Sequence, residues 1–146
     1  LSDGMIGDSL IDAFGEELNK SFGSLPGSTG KGAGTFTNVA KAAGINSSSP
    51  YTGESYDAAA LIVLAIQAGG KADRSTIRNN IISVANEPGK KIYPGELKKA
   101  LDLLAKGNDI NYEGATEVKF TKDGEAEGSF LEKIIKGGKF KTKKQR

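Results

Sequence analysis

The sequence predicts an α/β protein that is rich in helices and has only a few short strands. Between positions 8 and 104, apolar residues recur at the three- and four-residue spacing of amphipathic helices. From position 118 onward the pattern changes to the alternation that is typical of strands, with glycine-containing turns between them. Only about two to four strands can be predicted, too few for a self-contained doubly wound sheet. The chain therefore resembles part of a larger α/β protein.

The first third of the chain predicts two helices separated by a flexible segment. Residues 1–4 are expected to end a strand or to form the loop that leaves one. Asp8 can N-cap a helix that runs to Leu18. Residues 21–34 are rich in Gly, Ser, Thr and Pro, which favours a loop that could act as a linker or hinge. Residues 35–43 predict a short helix closed by Gly44.

The most apolar stretch, residues 55–70, predicts a central core helix. Every residue from Ala58 to Ala68 except Gln67 is apolar, and a helix that is apolar on all sides is expected to be buried on all sides. Asp57 is expected to act as a first-turn carboxylate that meets the partial positive charge of the helix. Because crossing a membrane requires roughly 20 apolar residues, this shorter run is interpreted as a core helix.

Two further helices and a group of strands are predicted after the central helix. Asp73 caps a helix that ends at Pro88-Gly89, and residues 94–96 begin another whose apolar stripe ends at Leu104. The strands are expected at 118–120, 129–135 and 139–142, with turns at Gly124 and at Gly137-Gly138.

The composition restricts the chemistry that is available. The chain has no Cys and no His, which excludes thiol nucleophiles, zinc–thiolate sites and the commonest general base. The net charge of +2 conceals an asymmetry, because residues 133–146 hold seven of the 20 basic residues and no acidic one. Clustered lysines can neutralise phosphates, but no element that reads a nucleic-acid groove accompanies them. A solvated, frayed terminus is the preferred interpretation, and no nucleic-acid partner is expected.

Two short motifs resemble ligand loops but do not match them fully. Residues 27–32 are glycine-rich around Lys31, yet Gly32 stands where a phosphate-binding loop needs Ser or Thr. Residues 109–114 place oxygen-bearing side chains at alternate positions, yet Phe120 stands where a calcium loop needs Glu. A flexible loop and a helix-to-strand turn are the expected structures. No cofactor or metal is predicted.

Several stretches in one order resemble a known family of receptors. These are Ser-Tyr-Asp-Ala-Ala-Ala from Ser55 with its apolar helix, the helix over 73–85, the opening Pro-Gly-Glu at 94–96, and the segments 107–114 and 118–124. Together they resemble the type I periplasmic substrate-binding proteins of ABC transporters, and among these the branched-chain amino-acid (Leu/Ile/Val-type) receptors. The resemblance covers nearly the whole chain. Residues 115–117 depart from the small-residue pair that relatives often carry before the strand.

The resemblance implies a two-lobed α/β fold of which this chain is the C-terminal portion. Residues 1–23 would end the second lobe, 24–34 would cross the hinge, 35–128 would form part of the first lobe, and 129–146 would supply return strands and the basic tail. A missing N-terminal portion would complete the lobes and carry most of the ligand contacts. The isolated chain is therefore not expected to bind solute with meaningful affinity, and its exposed sheet faces would favour self-association.

One candidate binding site follows from the resemblance. In the family, an acidic residue that is followed by Gly after a second-lobe strand pairs with the ammonium of the ligand, and Asp3 in Ser2-Asp3-Gly4 matches that position. An ammonium that is buried on lobe closure needs a charged acceptor. The alternative is that Asp3 only caps a turn, and the sequence leaves both open.

The function implied is that of a solute-binding component, not an enzyme, in the periplasm or lipid-anchored outside the cell. It would bind an amino acid or related carboxylate and deliver it to an ABC permease. The alternative is a ligand-sensing regulatory domain of the same fold in a signalling protein. An enzyme that uses Asp, Glu and Lys chemistry is a third possibility, disfavoured by the absence of His, Cys and any convergent motif.

Overall fold

Five helices and seven short strands follow one another along the chain, and the computed structural model describes all of residues 1–146. The helices are α1 (Asp8–Phe14), α2 (Lys31–Ala42), α3 (Thr52–Gly69), α4 (Arg74–Ala85) and α5 (Leu97–Leu104). The strands are β1 (Phe22–Pro26), β2 (Lys90–Ile92), β3 (Ile110–Tyr112), β4 (Lys119–Phe120), β5 (Ala126–Glu127), β6 (Phe130–Ile135) and β7 (Phe140–Gln145). Single 3-10 turns lie at Asp3–Met5 and Gly15–Leu18. No helix combines the length and hydropathy that spanning a bilayer requires.

These elements form two bodies. The helical body, residues 31–127, contains α2 to α5, the parallel pair β2–β3 and the small hairpin β4–β5. The sheet body, residues 1–26 and 129–146, contains α1 and an antiparallel sheet with strand order β1-β6-β7. The chain passes between the bodies twice, at Gly27–Gly30 and at Gly128.

The helical body holds the main hydrophobic core. One side of α3 packs against α4 and α5, and Leu64 and Ala65 on that side have no solvent exposure. The two strands that lie beneath the helices contribute Ile92 and Tyr112, which are equally buried. Helix α5 connects β2 to β3, which is the crossover that a parallel pair requires.

A buried carboxylate fixes the loop that follows β3. Asp57 on α3 is 2% exposed, and its two oxygens accept four hydrogen bonds. The donors are the Tyr112 hydroxyl at 2.8 Å, the Ala115 N–H at 2.7 Å, and the Thr116 N–H and hydroxyl at 2.8 and 2.7 Å. Burial, assisted by the nearby Asp57, raises the pKa of the Tyr112 hydroxyl. The carboxylate therefore ties the middle of α3 to residues 112–116.

Helix α2 docks on the same loop through a glycine. A Cβ at Gly32 would lie 1.7 Å from the Gly114 carbonyl oxygen, so a side chain at this position would force the two segments apart. Phe36 on the same helix is buried and its ring lies 5.3 Å from that of Tyr56 on α3. The start of α2 is thus held next to α3 and the 112–116 loop.

The sheet body has one covered face and one open face. On the covered face, Ile135 is 1% exposed, and Ile6 from the N-terminal segment is 5% exposed. On the open face, Phe22 and Phe130 are 70% and 50% exposed. The free edge of β1 is met by Leu1, whose amino group donates to the Phe22 carbonyl at 2.8 Å.

Several expectations for the first half of the chain are corrected by these elements. Strand β1 and the start of α2 lie inside the 21–34 segment that was expected to be a loop, so the extended crossing shrinks to Gly27–Gly30. Helix α1 begins at Asp8 with Gly7 as its N-cap, and the regular helix ends at Phe14. Helix α3 begins at Thr52, so Asp57 lies in its second turn and points into the interior instead of facing the helix end.

The expectation that α3 is buried on all sides is wrong. Ile62 and Val63 are 42% and 45% exposed, because α4 and α5 cover only the opposite side of the helix. The basic tail is also not frayed, because β7 pairs with β6 as far as Gln145. Strands β2 and β3 were missed, since three residues are too few to show an alternating pattern. The Asp73 cap is confirmed, because its carboxylate accepts the Thr76 N–H at 2.8 Å. Helix α5 and the turn at Gly124 are confirmed as well.

Candidate ligand-binding cleft

The three residues expected to contact a ligand lie at the surface of the sheet body, on its side toward the helical body. Ser2, Asp3 and Gly4 are all exposed. The Asp3 carboxylate accepts the Gly4 N–H at 2.7 Å within the short turn at Asp3–Met5, whose N-cap residue, Ser2, makes no side-chain capping bond. Only one of the carboxylate oxygens is used in this way. This local bond and a ligand contact are therefore compatible.

Tyr51 of the helical body faces Asp3 across the gap between the bodies. Hydrogen bonding to the Asp3 carboxylate is the main cause that raises the pKa of the Tyr51 hydroxyl, followed by partial burial and the charges of Asp3 and Glu54. The backbone of Tyr51 has φ +61°, a left-handed conformation that is unusual for a bulky residue. Such conformations are concentrated at ligand sites and switches. The strained backbone presents the ring toward the sheet body.

A groove runs alongside the Asp3 turn between the two bodies. It has a volume of about 530 Å³. Its sheet-body wall includes Gly4, Met5 and Phe14, and its opposite wall is formed by Ser48–Pro50 of the loop before α3. Met5 and Phe14 are 46% and 51% exposed, so this wall offers apolar surface to a ligand. The groove can accept an apolar group beside a carboxylate.

A smaller cavity of about 220 Å³ lies on the other side of the same loop, nearer to the chain crossings. Glu54 from the helical body and Lys133 from the sheet body both line it. Burial raises the pKa of the Glu54 carboxyl and lowers the pKa of the Lys133 ammonium. Lys133 donates to the Thr142 hydroxyl at 2.7 Å and makes no ion pair. A carboxyl group of the helical body and an ammonium group of the sheet body thus line the same cavity.

The arrangement can bind a small molecule. Asp3 offers a cation a carboxylate oxygen that has no backbone partner, and the groove lined by the next residue, Gly4, has an apolar wall. No three acidic side chains converge where a metal ion could be held. Sequence reasoning proposed Asp3, which stays a prediction, and it did not point to Tyr51, Glu54 or Lys133. A tyrosine that directly precedes a helix shows no unusual pattern, and its backbone conformation appears only in three dimensions.

The comparisons with known proteins identify the fold. No protein-family model matches the sequence. The leucine-binding protein LivK from Thermotoga maritima, whose crystal structure is known, superimposes with a TM-score of 0.68 at 19% identity, over 99% of this chain and 35% of that one. The expected fold class is therefore confirmed: the chain has the fold of part of a type I periplasmic binding protein.

A sequence relative gives a second, shorter match. The chemotactic signal transduction system substrate-binding protein BasB from Halobacterium salinarum is 39% identical over 67 residues, which is 46% of this chain and 16% of BasB. The chain thus spans 16% of the curated relative and 35% of the solved structure. Both proteins are binding proteins by name. The fold is shared with part of LivK.

Proposed function

We propose that these residues belong to a substrate-binding protein that holds an amino acid, of branched-chain or related type, between two lobes. The observation that carries this proposal is the position of Asp3. Asp3 directly precedes Gly4, which lines the groove between the bodies, and its carboxylate interacts with Tyr51 and keeps one oxygen free of backbone contacts. An α-ammonium bound there would meet a fixed negative charge, and the apolar wall of the groove would receive the ligand's side chain.

The two bodies are proposed to be parts of the two lobes. The sheet body would belong to the second lobe and the helical body to the first, with Gly27–Gly30 and Gly128 as crossings of the hinge. Supporting this, the element pairs with extensive packing each lie within one body, and at the first crossing the Gln145 side chain accepts the Thr29 N–H at 2.9 Å. Closing the hinge around a ligand would shift the population toward the closed form. Ser2 and Gly4 would shape the turn that carries Asp3.

In this proposal the loaded protein acts outside the cytoplasm and delivers its amino acid to an ABC permease, without catalysing a reaction. A further portion of the protein would cover the open faces of Phe22, Phe130 and the outer side of α3. Without it, the exposed faces would favour self-association and the ligand site would be incomplete. LivK, whose fold this chain shares in part, is named as a leucine-binding protein.

A second candidate function is favoured by the match to BasB. That protein is described as a substrate-binding protein of a chemotactic signal transduction system. The same ligand-loaded form would then be presented to a signalling partner instead of a permease. The ligand site is common to both candidates, and co-purification of the loaded protein with a permease or with a transducer would distinguish them.

The test is a double-mutant cycle between Asp3 and the ligand's ammonium in the protein that carries these residues. Asp3→Ala is expected to weaken leucine binding at least a hundredfold, about 3 kcal/mol, because it removes the charge that pairs with a buried ammonium. Against 4-methylpentanoate, which lacks the ammonium, the same substitution should change affinity little. Isothermal titration calorimetry measures both, with Asp12→Ala on exposed α1 as control. Equal losses for both ligands would remove Asp3 from the ammonium site.

A further inference from the structure

One side chain contacts the first crossing between the bodies and the residue that directly follows the second. Gln145 lies at the end of β7, in register with Leu131 of β6. Its Oε1 accepts the Thr29 N–H at 2.9 Å and also the Thr29 hydroxyl. Its Nε2 donates to the Ser129 hydroxyl oxygen at 2.9 Å. Thr29 belongs to the first crossing, and Ser129 directly follows the second.

The start of the first crossing is also bonded to the residue that follows the second. The Gly27 N–H donates to the Ser129 carbonyl at 3.0 Å. The Gln145 amide therefore completes a closed set of contacts that joins β7, the entrance to α2 and the start of β6. Any rotation of one body against the other must turn backbone bonds within Gly27–Gly30 and at Gly128. A rotation that carries Thr29 along with the helical body strains or breaks the contacts between Thr29 and Gln145.

A primary amide suits this position chemically. Thr29 offers two donors, and Ser129 offers an oxygen that can accept, so one planar group that carries both an acceptor and a donor satisfies the three groups at once. The flanking residues of β7 are different. Lys143 pairs with Glu132 at 2.9 Å and Lys144 is exposed, so neither reaches the crossings. Gln145 is uncharged within an otherwise basic run.

We propose that Gln145 is a positioning residue of the hinge, which holds the helical body in one orientation to the sheet body and thereby sets how often the cleft has the arrangement described above. The inference rests on the proposed function only in treating the cleft as the ligand site. The contacts of Gln145 with Thr29 and Ser129 lie within this chain and involve no ligand. Loss of the Gln145 amide should allow α2 to change its orientation relative to the sheet body. Strands β6 and β7 should stay paired, because their pairing uses backbone atoms.

The test measures the distance between the bodies without any ligand. The chain contains no cysteine, so the pair Asp12→Cys on α1 and Arg78→Cys on α4 provides two spin-label positions, both exposed. Double electron–electron resonance gives the distance distribution for the parent and for Gln145→Ala. We expect the population outside the parental range to rise about tenfold, which corresponds to ~1.4 kcal/mol. Thr29→Val, which removes the hydroxyl at nearly constant volume, should produce a smaller broadening of the same kind.

Two matched variants separate positioning from general loosening. Gln145→Glu keeps the acceptor for Thr29, and the Ser129 hydroxyl can turn to donate, so the parental distribution should be restored. Lys144→Ala, one residue away and pointing to solvent, should leave it unchanged. Circular dichroism confirms that each variant is folded. An unchanged distribution in both Gln145→Ala and Thr29→Val overturns the proposal, and so does equal broadening in Lys144→Ala. Failure to find any ligand would refute the proposed function but would not alter this result.

Discussion

The two bodies of this protein differ in how much apolar surface they bury. In the helical body, α3, α4, α5 and two short strands enclose a core whose central residues, such as Leu64 and Tyr112, have no solvent exposure. In the sheet body, only Ile6 and Ile135 are buried apolar residues, and two phenylalanines lie open on the other face. Helices wrap around their own core, whereas a three-stranded sheet needs a layer on each face. We conclude that the helical body carries most of the stability of the chain.

The largest expected effect comes from the core of the helical body. Leu64→Ala should lower the free energy of unfolding by about 3–4 kcal/mol, because it leaves a cavity in a region with no solvent exposure. The control is Ile62→Ala on the outer side of the same helix, where the cost should stay within about 0.5 kcal/mol as long as the chain is monomeric and this side is uncovered. Urea denaturation followed by circular dichroism measures both. A large cost for Ile62→Ala would mean that this surface is covered in solution, and size-exclusion chromatography would then show an oligomer.

A somewhat smaller effect is expected from the buried carboxylate of the helical body. Asp57→Ala removes four hydrogen bonds and leaves the Tyr112 hydroxyl and the Ala115 N–H without a partner, so stability should fall by about 3 kcal/mol. A carboxylate that only met the charge of the helix end would contribute about 1 kcal/mol at most. Asp73→Ala, which removes a true N-cap, should cost about 1 kcal/mol and serves as the control. Equal losses in the two variants would contradict the role assigned to Asp57.

The smallest expected effect is a difference between the two bodies in how their stability depends on pH. In the sheet body, hydrogen bonds from Lys143 and Arg146 hold the pKa of the Glu132 carboxyl below its usual value. The stability that this group contributes is complete above its unfolded pKa and is lost as the pH falls through its folded pKa. In the helical body, burial raises the pKa of Glu54, so its contribution is complete below its unfolded pKa and is lost as the pH rises through its folded pKa.

Carbon-13 NMR of the Glu132 and Glu54 carboxyl groups measures whether the first pKa is lowered and the second is raised. Glu132 should titrate below, and Glu54 above, the pH at which an exposed glutamate titrates. Glu132→Gln should reduce the loss of stability at acid pH, while Glu54→Gln should stabilise the protein near neutral pH. Both changes are expected to be small, because partly exposed charges are screened by solvent. Titration of both groups at one common pH would show that the two environments do not differ.

The sequence predicted most of the helical body because its signals are local. The Asp73 side chain, the stripe Leu97, Ala100, Leu101 and Leu104, and the glycine after each helix all act within a few residues of where they stand. These patterns determined that α4 and α5 form and where they begin. The order of such patterns also identified the fold. Asp3 could be identified as a candidate by its neighbours Ser2 and Gly4, although its role as a ligand contact stays a prediction.

What only the tertiary structure decided depends on partners that are distant in sequence. Asp57 looked like a helix-end carboxylate until residues 112–116 folded against it, and α3 looked buried all round until its neighbours were placed on one side only. Strand β1 lies hidden in a glycine-rich segment, because its pairing with β6 supplies the stability that its sequence lacks. The contacts of Tyr51 and Gln145 arise only where the two bodies meet. Burial and hydrogen bonding are properties of the assembled chain, so a linear pattern can name the residues and cannot say what they touch.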